Sequence, residues 1–138
     1  MEQKNVKPEI QQIEVDSEMK GKVNHPLNPD FLKAIIHNRN TNILNVTVES
    51  YDPVNVAKAV ETLDSEDLLF FFKAVKSDES AEVFAYLEQE TKEKVISAFT
   101  SSQLHELVDN MSTDDLVDFV DDLPANLISK VLKATDPE

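Results

Sequence analysis

From Asn28 onward the chain can be written in rows of twelve, and nine rows run to Thr135 with apolar side chains recurring in the same columns. Self-similarity at a fixed period constrains a fold more than any average over composition, because every row must solve the same burial problem in the same way. The eighth and ninth columns read Ile35 and Ile36, Thr47 and Val48, Ala59 and Val60, Phe71 and Phe72, Val83 and Phe84, Val95 and Ile96, Leu107 and Val108, Phe119 and Val120, and Val131 and Leu132. Only Thr47 departs from apolar character. The fifth column holds Leu32, Leu44, Val56, Leu68, Leu104, Leu116 and Ile128, with Ser80 and Lys92 as polar exceptions. The twelfth is apolar from Tyr51 to Leu123 and polar at Arg39 and Thr135.

Columns five, eight, nine and twelve are spaced i, i+3, i+4 and i+7, which is one stripe of an α-helix and not one face of a strand. The row starts carry matching punctuation. Asn28-Pro29-Asp30, Asp52-Pro53, Asp64-Ser65-Glu66, Ser77-Asp78-Glu79, Thr100 to Gln103 and Ser112 to Asp115 are N-cap and first-turn chemistry, and Pro124 fits the same place. The row from 40 to 51 is the weakest, since its β-branched Val46, Thr47 and Val48 would also suit a strand; the register favours a helix. A helix this short does not stand alone: ordering twelve residues costs roughly 12–24 kcal/mol, while burying four apolar side chains returns roughly 6–12. The rows must therefore pack on one another. The expected fold is all-α, a compact α-solenoid or superhelix of about nine short antiparallel helices, with stacked hairpins and a pair period of 24.

A chain of 138 residues suits one domain. Residues 1–27 carry few apolar side chains at no fixed period and read as a mobile N-terminal tail, within which Ile10, Ile13 and Met19 mark a short amphipathic stretch able to dock as a brief helix. Thirteen Lys and Arg against 27 Asp and Glu leave a net charge of −14, which disfavours binding to polyphosphate backbones or anionic lipid and favours cations or basic partners. With no cysteine there is no disulfide framework, thiolate metal site or cysteine nucleophile. The single glycine, Gly21, excludes glycine-dependent phosphate loops and Rossmann turns. No stretch approaches the 18 consecutive apolar residues of a membrane span, and the N-terminus lacks a signal-peptide core.

His25, His37 and His105 have no second ligand at metal spacing and read as solvent-facing imidazoles; Ser and Thr stand mainly at helix starts, where capping explains them. No nucleophile, base and orienter set is present, so the chain is not expected to be an enzyme. The carboxylates are more informative. From Val95 to Ser129 there are seven acidic side chains and no Lys or Arg: Glu106, Asp109, Asp114, Asp115, Asp118, Asp121 and Asp122. Asp114, Asp118 and either Asp121 or Asp122 share a helix edge and repel one another, a repulsion that a cation relieves. An EF-hand counted from Asp109 fails, with Asp114 at the glycine position and Val120 at the bidentate glutamate position. Two readings stay open on these residues: a Mg²⁺-like site, which needs only one or two carboxylates, and a solvated face complementing a helix dipole.

Residues 52–138, with Ala-Glu-Val-Phe-Ala-Tyr-Leu at 81–87, the run from Met111 through Asp114-Asp115-Leu116-Val117-Asp118 to Pro124, and the closing Asp136-Pro137-Glu138, resemble the cytoplasmic N-terminal domain of MgtE-type magnesium transporters. Related helical rows occur in the flagellar motor protein FliG. The resemblance implies a regulatory Mg²⁺-sensing domain at the cytoplasmic face of the membrane, part of a homodimeric transporter and followed there by CBS domains and a transmembrane domain. It implies that Mg²⁺ held between the acidic face and the CBS domains clamps a closed state. By position in the motif, the metal ligands fall on Glu82 and Asp114, with Asp118 in addition. The chain stops before any CBS sequence, so it reads as a fragment holding half of each site. The competing expectation is a flagellar-switch-like adaptor that binds a partner protein with no metal role.

Overall fold

Asn28, Asn40, Asp64, Thr100 and Ser112 each turn a side-chain oxygen onto backbone N–H groups of the residues that follow them, and each begins a helix. Thr100 and Gln103 close a reciprocal capping box. The computed structural model describes residues 22–135, and among these it contains nine helices: α1 Pro29–His37, α2 Thr41–Ser50, α3 Pro53–Val60, α4 Ser65–Ala74, α5 Ser77–Ala85, α6 Gln89–Ala98, α7 Ser101–Asp109, α8 Thr113–Asp121 and α9 Ala125–Thr135. Every first helical residue lies twelve positions after the previous one, so the N-cap is the first position of each row. The β-branched row is helical, because its Leu44, Thr47 and Val48 fall on the buried stripe.

Of the rows that lack a capping side chain of their own, two draw an acceptor from an earlier row. Lys76 precedes α5 without a side-chain cap, yet its N–H donates to Asn45 Oδ1 at 2.9 Å. Glu88 precedes α6, and its N–H donates to Glu61 Oε2 at 2.6 Å, while the Thr91 hydroxyl donates to Glu61 Oε1. At the other end of α6, Lys130 Nζ donates to the carbonyls of Ile96 and Ser97 at 2.7 and 3.1 Å, placing a cation where the helix dipole is negative. Without a glycine available, α1 ends on Arg39 at φ 54°, with Asn40 N–H bonded to the Ile35 carbonyl and Arg39 N–H to that of Ile36. The Arg39 guanidinium lies 4.6 Å from the centre of the Phe70 ring, which helps to hold that left-handed turn.

The close backbone approaches fall mainly between helices two apart (α1 with α3, α2 with α4, α3 with α5, α4 with α6, α5 with α7, α7 with α9), which is stacking at the 24-residue period. One continuous core runs from Val23 to Ala134 and is built mainly from the fifth, eighth, ninth and twelfth columns. Phe71, Phe72, Phe84, Phe99 and Phe119 meet edge to face along it. Helix α8 stands apart: it has no extended backbone approach to another helix among the described residues, and Phe119 is its one fully buried residue. The last row also deviates, since Leu132 is exposed although it occupies an apolar column.

The expected mobile tail is corrected over residues 22–27. Val23 and Leu27 are buried in the core, and Val23 pairs in parallel with Tyr51: Val23 N–H donates to the Ser50 carbonyl at 2.7 Å, and Asp52 N–H donates to the Val23 carbonyl at 2.8 Å. The physical reason is local. The end of α2 and the start of α3 leave a carbonyl and an N–H without helical partners, and one extended residue satisfies both. Two apolar residues are too few to register as a period. Ile10, Ile13 and Met19, expected to form a docking stretch, lie outside the described residues.

Candidate cation-binding groove

Glu82 occupies the seventh column of α5, beside the buried Ala81, Val83 and Phe84, and its side chain is 60% exposed. Asp114 and Asp115 occupy the first turn of α8, where the Ser112 cap fixes the Asp115 backbone N–H. The edge-to-face contact of Phe84 with Phe119, centroids 5.0 Å apart, ties α5 to α8. Next to that contact opens a groove of about 260 Å³ lined by Pro53, Glu82, Ala85, Tyr86 and Asp115. Two acidic residues from helices three rows apart thus line one open groove, with an exposed Tyr86 beside them.

The residues expected as ligands are not all brought together. Glu82 lines the groove; its partner there is Asp115, not Asp114, which is exposed one position earlier on α8. Asp118 does not line the groove, and with Asp115 and Asp122 it lies in the field of Lys92. Among the described residues no group of three His, Asp or Glu side chains gathers tightly enough to hold a metal ion. The donor set nonetheless suits a hard cation: two carboxylates with room for water match the one or two carboxylates and several retained waters that Mg²⁺ takes.

Lys92 is one of the two polar exceptions in the fifth column, and its surroundings explain it. Its stem follows the core while Nζ sits 5.8 Å from the Phe84 centroid and 5.6 Å from that of Phe119. Asp115, Asp122 and Asp118 attract its charge, and burial opposes them; burial is the larger effect and holds the ammonium pKa below the usual lysine value. The cation-free run from 95 to 129 therefore has a counter-charge, delivered from α6. A lysine at an inward column was the available signal. A second cation stands on the α5 side, where Lys22 Nζ is 2.7 Å from Glu79 Oε1 and 4.0 Å from Glu82 Oε1.

None of the histidines joins the groove. His37 Nε2 pairs with the buried Asp67 carboxylate at 3.0 Å, His105 Nδ1 meets the Ala134 carbonyl at 2.5 Å, and His25 packs edge-on against Tyr51. One larger cavity, of about 440 Å³, lies elsewhere, between α4, α6 and α9 beside Leu68, Leu69 and Leu127.

No curated protein matches the chain. Residues 51–138 match the family of the MgtE intracellular N domain, a range that takes in α3 to α9 with both walls of the groove and leaves α1, α2 and the Lys22 segment outside it. More than half of the chain is covered, and the chain belongs to the MgtE intracellular N domain family.

Proposed function

We propose that this chain is the cytosolic, non-enzymatic regulatory part of a magnesium transporter, and that it acts by Mg²⁺-bridged docking of its acidic face onto CBS domains of the same protein. The observation that carries the reading is the shared groove, in which Glu82 from α5 and Asp115 from α8 face one space. Asp114 and Asp118 stand on the same helix outside the groove lining and add to the negative charge of α8.

Differential affinity is the mechanism. A groove with two carboxylates leaves most of the ion's coordination to water, so the domain alone holds Mg²⁺ weakly. A second acidic surface brings further carboxylates, and the two negative faces repel each other until the cation sits between them. Mg²⁺ then favours the docked state by as much as it binds that state better. In the transporter, proposed to be a homodimer with this domain at the cytoplasmic face, docking at high Mg²⁺ holds a closed state and loss of Mg²⁺ frees the domain.

The test is docking of this chain to the CBS polypeptide as a function of Mg²⁺, for the wild type and for Glu82→Ala/Asp114→Ala, with Asp115→Ala as a third variant. The expected result is Mg²⁺-dependent binding that weakens at least about tenfold in the variants while the helical circular dichroism stays unchanged. Docking that ignores both Mg²⁺ and the substitutions overturns the reading.

A further inference from the structure

We propose that Lys22 is a built-in competitor of the divalent cation at Glu82, so that the segment ahead of the helical rows sets the cation concentration to which the groove responds. The proposal rests on the reading of the groove given above and adds a regulator to it.

The geometry is specific. Glu79 and Glu82 stand three residues apart on α5 and so share a face. Lys22 reaches that face from a part of the chain 57 residues away, with Nζ 2.7 Å from Glu79 Oε1 and 4.0 Å from Glu82 Oε1. The pair with Glu79 is well covered, the two side chains being 27% and 20% exposed, whereas Glu82 is open. The ammonium is not merely visiting. Val23, the next residue, is fully buried, and its N–H and carbonyl are both bonded, to the Ser50 carbonyl and the Asp52 N–H. That clamp fixes the backbone from which the lysine extends, so forming the pair costs only the rotamer freedom of the side chain itself.

A divalent ion bound at Glu82 must therefore share its carboxylate's surroundings with a fixed positive charge. Repulsion between charges of two and one separated by about 5 Å of water-like medium, reduced by salt, weakens binding about three- to tenfold. The ammonium need not leave for the ion to bind, because Glu79 retains it. The segment that carries Lys22 lies outside the range matched to the family, residues 51–138.

The experiment follows binding of Mg²⁺ to the whole chain through the backbone amide resonances of Glu82 and Asp115, for wild type, Lys22→Met, Lys22→Arg, Glu82→Gln and Lys22→Met/Glu82→Gln. Methionine keeps the apolar stem, and unchanged amide dispersion confirms that the variant folds. The expected result is a Kd about three- to tenfold lower in Lys22→Met, a near wild-type value in Lys22→Arg, and loss of the gain when Glu82→Gln is added. As a readout independent of the titration, the melting temperature of Lys22→Met should rise more than that of the wild type at the same Mg²⁺ concentration. Lys22→Met affinity within twofold of wild type, with Glu82→Gln still abolishing binding, overturns the competition and leaves the groove standing. Binding that survives Glu82→Gln overturns the groove itself. A gain that persists in the double variant places the effect at another site and also overturns the proposal.

Discussion

Phe119→Ala should loosen α8 more than any other single substitution on the acidic wall. Phe119 is 1% exposed, it is the one fully buried residue of α8, and its ring meets Phe84 at 5.0 Å and 90°. Removing a buried phenylalanine side chain costs about 3–5 kcal/mol, and the lost edge-to-face pair accounts for about 0.5–1.5 of it. Elsewhere a neighbouring helix would share the loss. Here the backbone of α8 makes no extended approach to another helix, and Leu116 and Val120 are only partly buried against the core. Urea denaturation followed at 222 nm should show a loss of about 3 kcal/mol or more. Native-state hydrogen exchange should show the amides of 113–121 losing protection before those of α3 to α5. Phe119→Leu, which keeps an apolar plug, should cost about half as much or less. A Phe119→Ala loss below about 1 kcal/mol, or α8 amides protected as in the wild type, would refute the idea that this one ring holds the acidic helix in place.

Two further outcomes attach to Lys92. Because burial outweighs the pull of Asp115, Asp122 and Asp118 on its charge, Lys92→Met should be at least as stable as the wild type near neutral pH, with the stem still covering Phe84 and Phe119; a clear destabilisation would show that the acidic neighbours and ring faces win. The folded-state pKa is the lower one, so between it and the ordinary 10.5 the unfolded chain holds more protons and wild-type stability gains with rising pH. The advantage of Lys92→Met should therefore be full below the folded value and should shrink as pH climbs toward 10.5, measured as the difference between two urea curves at each pH.

The helices were legible because the signal repeats: a residue such as Val48 is ambiguous alone, but its column is apolar in every row, and stripe spacing plus caps at Asn28, Asp64, Thr100 and Ser112 define where each helix begins. Non-local substitutions for that chemistry were not legible. Nothing near Glu88 announces that Glu61 caps α6, and nothing near Val23 announces that the α2–α3 corner has two backbone groups to satisfy. The groove was half legible. Glu82, which the family resemblance implies, lines the groove together with Asp115, and Asp114 stands one position away on α8; which face of α8 borders the groove depends on the docking of Phe119 onto Phe84, which no local pattern announces. Lys92 and Lys22 escaped for opposite reasons. One looked like a fault in the pattern, and the other lay ahead of it.

The most direct measurement of the central claim is the site at which a divalent cation first meets the isolated domain. Mn²⁺ added in substoichiometric steps to the isotope-labelled chain should broaden the amides around Glu82 and Asp115 before all others, with Mg²⁺ suppressing the effect and with millimolar or weaker affinity, as half a coordination shell requires. Broadening that begins elsewhere, or a stoichiometric micromolar site, would contradict the account.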